Sequence, residues 1–523
     1  MTYPPTYSEL YVVSDIHLGG RRDAQDNFQI FNRGERLGNL IRYIAEQRVD
    51  EDVALVLNGD IIDSLAEDEV PGYVAADSDT ALRMMEHIYQ DSAFRPVWDS
   101  LGHFVKTPRR HLVFVVGNHD IELSLPVVEN SIRERLAGDN ENAQARIHFA
   151  THGSGFGCRV AGARIFCTHG NELDKWNWVD FSMLGQLANA INAGRAVDMS
   201  KWKPNGGTRL VVDVMNAIKR RYPFVDLLKP EVAAVAAVLL ALDKDVFEHI
   251  DLGEAFPILR DKKQGELVTK NLLGPTDTYF SSVPSSVTAD EAAEQLLGPS
   301  FREAIQDERR STSGASEDDL LLAAEEAVSE GKSATEMADS ESDQETLGLW
   351  DIICGWVGLV SKEEGLRRAL KDWLKDDTTF EADSEDDYYD TMKQRVSDQV
   401  DFVITGHSHK PRALKFKGSR YYFNCGTWIR TLRLTSEVLD NAEAFEKNVW
   451  PALTSGKMEA LDKAEIPGPE GKIVPLLYDR TNVVKISAQD NSAVGQLLRV
   501  TDGKAKGSVK IDPEPDTNPF KVG

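Results

Sequence analysis

Seven side chains in this sequence have the types and placing to hold metal: Asp15, His17, Asp60, Asn118, His169, His407 and His409. Two carboxylates, one amide and four imidazoles make a mixed oxygen and nitrogen set. Such a set suits first-row divalent cations such as manganese, iron, zinc or cobalt. Seven donors exceed what one tetrahedral or octahedral site can use while keeping a position open. They suit two cations that share one carboxylate and stand about 3.5–4 Å apart. In Asp15-x-His17 and His407-x-His409, residues i and i+2 would leave one edge of an extended segment toward a common point. His119, beside Asn118, can act as an acid or as a ligand.

Each of these residues follows a short apolar run. Leu10 to Val13 precedes Asp15 and His17, Val53 to Leu57 precedes Asp60, and Leu112 to Val116 precedes Asn118 and His119. Arg164 to Cys167 precedes His169, and Val400 to Thr405 precedes His407 and His409. A core strand whose carboxyl end carries polar groups is how a parallel α/β sheet presents chemistry. Between the runs lie helical spacings: Leu37, Leu40, Ile41 and Ile44 after Gly34, then Leu82, Met85 and Tyr89 after Thr80, then Val127 to Leu136. The alternation predicts an α/β fold with mixed sheets flanked by helices. Thr151-His152-Gly153 repeats the local text of Thr168-His169-Gly170. The cleaner apolar run before His169, and Asn171 after it, select His169; His152 reads as a loop residue. Trp176, Trp178 and Trp428, near these loops, read first as packing and second as stacking surfaces for a substrate.

The strand–helix pattern stops near residue 174 and resumes near 398. One discontinuous core therefore spans residues 8–173 and 398–490. A mainly helical insertion, 174–397, separates the halves and contains an acidic segment, 311–345, read as mobile. Asn482 to Ile486 reads as a late strand, and residues 491–523 as a C-terminal tail that closes in a frayed Pro- and Asp-containing end. Within the insertion, Val232 to Leu242 is the longest apolar run and reads as a buried helix–helix contact. It falls well short of the ~20 residues a membrane span needs. The first residues lack a basic-then-apolar leader pattern, so a cytoplasmic chain is expected. At 523 residues and 41% hydrophobic, the chain can bury a large core. A net charge of −26 disfavours DNA, RNA and anionic membrane surfaces as partners unless a local patch or a bound metal intervenes. The four cysteines have no zinc-finger spacing and read as free thiols, with Cys158 and Cys167 facing each other across a hairpin at Gly162. Nothing in the text fixes an oligomeric state.

Five ordered blocks, Asp-x-His, Gly-Asp-x-x-Asp, Gly-Asn-His-Asp, His-Gly-Asn and Gly-His-x-His, resemble the signature of the calcineurin-like metallophosphoesterase superfamily. Ser-Asp-Ile-His-Leu-Gly and Tyr-Phe-Asn-Cys-Gly-Thr-Trp are closest in texture to the UDP-2,3-diacylglucosamine pyrophosphohydrolase-like branch, which commonly has arginine where His119 stands. The resemblance implies that Asp15, His17, Asp60 and His409 hold one metal, and that Asp60, Asn118, His169 and His407 hold the other, with Asp60 bridging. Manganese is the first expectation. It further implies a bridging hydroxide that attacks phosphorus in line, with His119 as the acid and Asp63 orienting it; Asp63 could instead cap a following helix. Arg21 and Arg22 are candidates for binding substrate phosphate. The expected substrate is a small or nucleotide-linked phosphoester. A nuclease or phosphodiesterase on the same core is the alternative, and an inactive scaffold a third reading.

Overall fold

A computed structural model places residues 4–20, 29–68, 70, 72–174, 176–199, 202–229, 299–300, 303, 360–375 and 378–523, the described residues. Arg21, Arg22, the run Val232 to Leu242 and the acidic segment 311–345 lie outside them.

The apolar runs form strands: β1 Thr6–Tyr7, β2 Glu9–Val13, β3 Val53–Asn58, β4 Arg110–Val115, β5 Ile147–Ala150, β6 Phe156–Val160 and β7 Ala163–Cys167. The later part of the chain adds β8 Phe402–Thr405, β9 Arg412–Lys415, β10 Tyr421–Asn424, β11 Thr481–Gln489, β12 Ser492–Asp502, β13 Val509–Pro513 and β14 Phe520–Val522. Two sheets result. The larger has the order β13-β12-β11-β2-β3-β4-β5, with β14 also on β12; the smaller has the order β1-β6-β7-β8-β10-β9. Strands β2 to β5 run parallel, as do β7, β8 and β10, while β11 closes antiparallel on β2.

Alternating side chains explain why the runs are apolar without a break. Leu10 and Val12 of β2 point into a core shared with Ile165, Phe402, Ile404 and Phe423 of the other sheet. Tyr11 and Val13 point the opposite way, into a core shared with helices. Strands buried on both faces cannot afford polar positions. The helices on that outer face are α1 Gly34–Ala45, α2 Ser78–Gln90, α3 Arg95–Lys106 and α4 Pro126–Ala137. A helix at Asp387–Arg395 covers the far side of the smaller sheet through Tyr389 and Met392. The layers are therefore helices, sheet, sheet, helix, and both halves of the chain contribute to both sheets.

Three sequence expectations need correction. Leu82 is 39% exposed; the buried stripe of α2 is Ala81, Met84, Met85, Ile88 and Tyr89, which keeps two of the three expected residues. Cys158 and Cys167 are buried free thiols but not cross-strand partners: Cys158 pairs with Ile165, and Cys167 with Phe156. The segment read as a tail with a frayed end, 491–523, instead carries β12, β13 and β14, because β12 pairs along the whole length of β11. Trp428 is fully buried and donates from Nε1 to the Asn482 carbonyl at 3.0 Å, in keeping with its first reading as packing. From 174 to 397 the described residues form helices and no strand. Part of this stretch docks on the core, where Asn216 Nδ2 donates to the Leu65 carbonyl at 3.0 Å. No helix among the described residues is long and apolar enough to cross a membrane.

Candidate metal centre

Parallel β2, β3 and β4 bring Asp15 and His17, Asp60, and Asn118 to one end of the larger sheet. Strands β7 and β8 bring His169, His407 and His409 to the same end of the smaller one. Backbone hydrogen bonds lock the loops together. The amides of Ile16 and His17 both donate to the Asp60 carbonyl at 2.9 Å, and Gly406 N donates to the His169 carbonyl at 2.8 Å. The amide of His407 donates to both carboxylate oxygens of Asp15 at 3.1 Å, tying one sheet's loop to the other's.

Six of the seven residues, all but Asn118, meet in shared groups, but not by extended alternation. Asp15, His17, Asp60, His407 and His409 all have positive φ, between 50° and 66°. They are five of the eleven non-glycine residues with positive φ among those described. Left-handed backbone is sterically costly for such residues, and concentrations of it mark functional sites. The i, i+2 pairs converge because each loop curls on itself rather than continuing its strand.

Ligating atoms gather in three overlapping groups, each within 4.8 Å: Asp15, His17 and His409; His17, Asp60 and His119; and Asp60, His169 and His407. Asp60 belongs to two of them. His409 Nε2 lies 3.1 Å from Asp15 Oδ1, and His169 Nε2 lies 3.1 Å from Asp60 Oδ2. Both ring nitrogens of His17, Nδ1 of His409 and Oδ1 of Asn118 are buried without a hydrogen-bond partner, and Nε2 of His169 faces only the Asp60 carboxylate. Buried polar atoms ordinarily find partners. Orphaned donor atoms converging around two carboxylates therefore fit divalent cations.

Electrostatics sorts the imidazoles. Burial disfavours the charged form of His169, but Asp60 and Asp15 outweigh it and raise its pKa to about 10. Burial and the positive charge of Lys229 lower His409 to about 4, against the pull of Asp15. Burial pushes the Asp60 carboxyl up, yet His169 and His119 hold it well below the usual carboxylate range. Asp63 behaves likewise: burial is outweighed by His119 and then His17, and its carboxyl stays below that range. Its Oδ1 lies 3.1 Å from His119 Nδ1. His119 is 19% exposed at its side chain, so it reaches the open side of the cluster. His152 is exposed and outside the cluster.

Sequence reading gave no role to two supporting residues, Asp120 and Asn424. Asp120 accepts from Gly117 N at 2.6 Å and Ile61 N at 2.7 Å, joining the loops after β3 and β4. Its pKa rises to about 7 through burial and the charge of Asp60. Asn424 Nδ2 donates to the Gly406 carbonyl at 2.7 Å and steadies the His407–His409 loop. The signal for Asn424 was present: like Asn58, it is a polar residue ending an apolar strand.

Compared with known proteins, residues 9–216 match the family model described as calcineurin-like phosphoesterase. No curated protein and no solved structure matches the chain. The mixed, helix-flanked sheets agree with that family's α/β fold. The match implies metal-dependent hydrolysis of phosphoesters in general.

Proposed function

We propose that this protein is a dinuclear-metal-dependent phosphoester hydrolase acting on a small or nucleotide-linked phosphoester. The observation that carries the reading is the convergence of buried, unpartnered ligand atoms around Asp15 and Asp60. Asp15, His17, Asp60 and His409 would hold one cation; Asp60, Asn118, His169 and His407 would hold the other. When bound, such cations polarise phosphoryl oxygens and make water nucleophilic near neutral pH.

The chain's own contribution is proton handling and orientation. Asp63 engages His119 at Nδ1 and remains a carboxylate. That charge favours the imidazolium and aims the ring. Nε2 is then the atom that can pass a proton to the departing oxygen. His169 is held from behind, its Nδ1 on the Asn58 carbonyl at 2.9 Å, which presents Nε2 to Asp60. Histidine so fixed through its second nitrogen is pre-organised as a ligand.

Purified protein loaded with manganese should hydrolyse at least one of a phosphomonoester, a phosphodiester or a nucleotide pyrophosphate, and Asp60→Ala should lose both metal and turnover. Turnover of diesters alone would favour the nuclease or phosphodiesterase alternative. Absence of bound metal together with absence of turnover would refute the proposal.

A further inference from the structure

His407 has a neighbour that none of the five motif blocks includes. Its Nε2 lies 3.3 Å from Asp174 Oδ2. Asp174 stands five residues past His169, just after the short 3-10 turn Asn171–Leu173, and its side chain is only 15% exposed. The carboxylate is braced on its other sides. Oδ1 accepts from Trp176 N at 2.8 Å, and Oδ2 also accepts from Asn177 Nδ2 at 2.7 Å. The turn that holds it is itself pinned: Asn171 Nδ2 donates to the Asn177 carbonyl at 3.0 Å, and Gly207 N donates to the Trp176 carbonyl at 2.7 Å. A Cβ on Gly207 would fall 1.9 Å from Asn177 Oδ1, so the segment at 206–207 presses directly on this turn. Asp174 is therefore a fixed acceptor, not a side chain that happens to swing near the ring.

An acceptor fixed on one imidazole nitrogen decides what the other can do. With Nε2 protonated toward Asp174, the lone pair of His407 sits on Nδ1. The neighbouring His169 obeys the same logic with the roles of the nitrogens exchanged, since its Nδ1 faces the Asn58 carbonyl. The difference is that a carboxylate, not a carbonyl, backs His407. A carboxylate in that place fixes the ring's orientation and strengthens it as a ligand.

Resting on the dinuclear reading above, we infer that Asp174 is a positioning residue that sets the tautomer of His407 and thereby the affinity of the cation held by Asp60, Asn118, His169 and His407. The test compares wild type with Asp174→Ala and Asp174→Asn. Asparagine keeps the Oδ1 acceptor for Trp176 N and puts an NH2 donor where the acceptor faced His407 Nε2 and Asn177 Nδ2, so it disturbs the turn less than alanine and stays informative if alanine fails to fold. Two readouts are taken: stepwise calorimetric titration with manganese, and imidazole nitrogen shifts of His407 in metal-free protein. Wild type should take up two cations and show the Nε2–H tautomer. Both variants should bind one cation with unchanged affinity and the other about 10–100-fold more weakly, with the His407 tautomer lost or mixed. Two cations bound by both variants at wild-type affinity, with an unchanged tautomer, would overturn this inference and leave the dinuclear reading standing. A wild-type protein that takes up no cation would overturn the dinuclear reading and this inference together.

Discussion

Gly117→Ala adds one methyl group behind the shared carboxylate of Asp60. A Cβ at Gly117 would lie 2.2 Å from Asp60 Oδ1 and 2.5 Å from Asp60 N, where ordinary contact begins near 3.4 Å. The shortfall at Oδ1 is roughly 1.2 Å. Gly117 is not among the glycines with positive φ, so alanine meets no backbone penalty there and the effect is one of space. Neither neighbour can yield cheaply. Asp60 Oδ1 is the acceptor for His119 N, and the amide of Asp60 belongs to a loop tied to Asp15, Ile16 and His17. Overpacking of this kind costs about 1–3 kcal/mol of stability. A displacement of about 1 Å at a reacting centre costs on the order of 100-fold in rate. The expected outcome is a folded protein with a lowered melting temperature, weakened binding of both cations and turnover reduced about 100-fold. Metal content by elemental analysis, calorimetric melting and phosphatase assay check these in turn. Gly406→Ala, whose Cβ would lie 2.5 Å from Asp15 Oδ2, should weaken chiefly the cation held by Asp15, His17 and His409. A Gly117→Ala protein with wild-type metal content and turnover would refute the claim that Asp60 is the shared ligand.

His119→Asn should lower kcat by about 100- to 10,000-fold while metal content stays at two; a fall in metal content would instead make His119 a ligand. Asp63→Asn should lower kcat less than His119→Asn does, with a shifted pH–rate profile, since it removes the charge that favours protonated His119. Metal affinity should rise with pH: metal-free His169, held at about 10, carries a proton that binding must displace, whereas His409, at about 4, is already neutral. Below about pH 10 that one proton gives about a tenfold gain in affinity per pH unit, checked by calorimetry in buffers of different ionisation enthalpy; a pH-independent affinity would contradict it. Removing residues 491–523 deletes β12 with its fully buried Leu497 and Val500, each contributing about 1.5–3 kcal/mol against a typical total of about 5–15 kcal/mol. The shortened chain should elute as aggregate in size-exclusion chromatography, and a soluble monomer would contradict the pairing of β11 with β12.

The strand ends were legible because strands buried on both faces write themselves as unbroken apolar runs, and the polar residue that follows stands out. Asp15, Asp60, Asn118 and His407 were visible for that reason. What could not be read was anything set by contact at a distance. Asp174 lies 233 residues from His407, and neither has a local pattern that names the other. The left-handed backbone at Asp15 and His409 was equally hidden, because alternation in sequence looks the same whether a loop is straight or curled. Helix α3 was missed despite Pro96 at its start and Val97, Trp98, Leu101, Phe104 and Val105 buried along it. The end of the chain was misread for a different reason: Pro513, Pro515 and the nearby acids suggested fraying, although Leu497, Leu498 and Val500 upstream could fill a core.

Strand β2 lies in the middle of the larger sheet, with β3 on one flank and β11 on the other. The first partner follows within a few dozen residues; the second begins at Thr481, some 468 residues beyond Val13. At ribosomal speeds of about 5–20 residues per second, the nascent chain carries β2 with one row of amides and carbonyls unpaired for roughly 25 to 95 seconds. Such an open flank invites pairing with other chains. Chaperones that shield the emerging amino-terminal half until β11 is available should therefore raise the yield of folded protein, and a pause late in translation should be more damaging to its yield than one early.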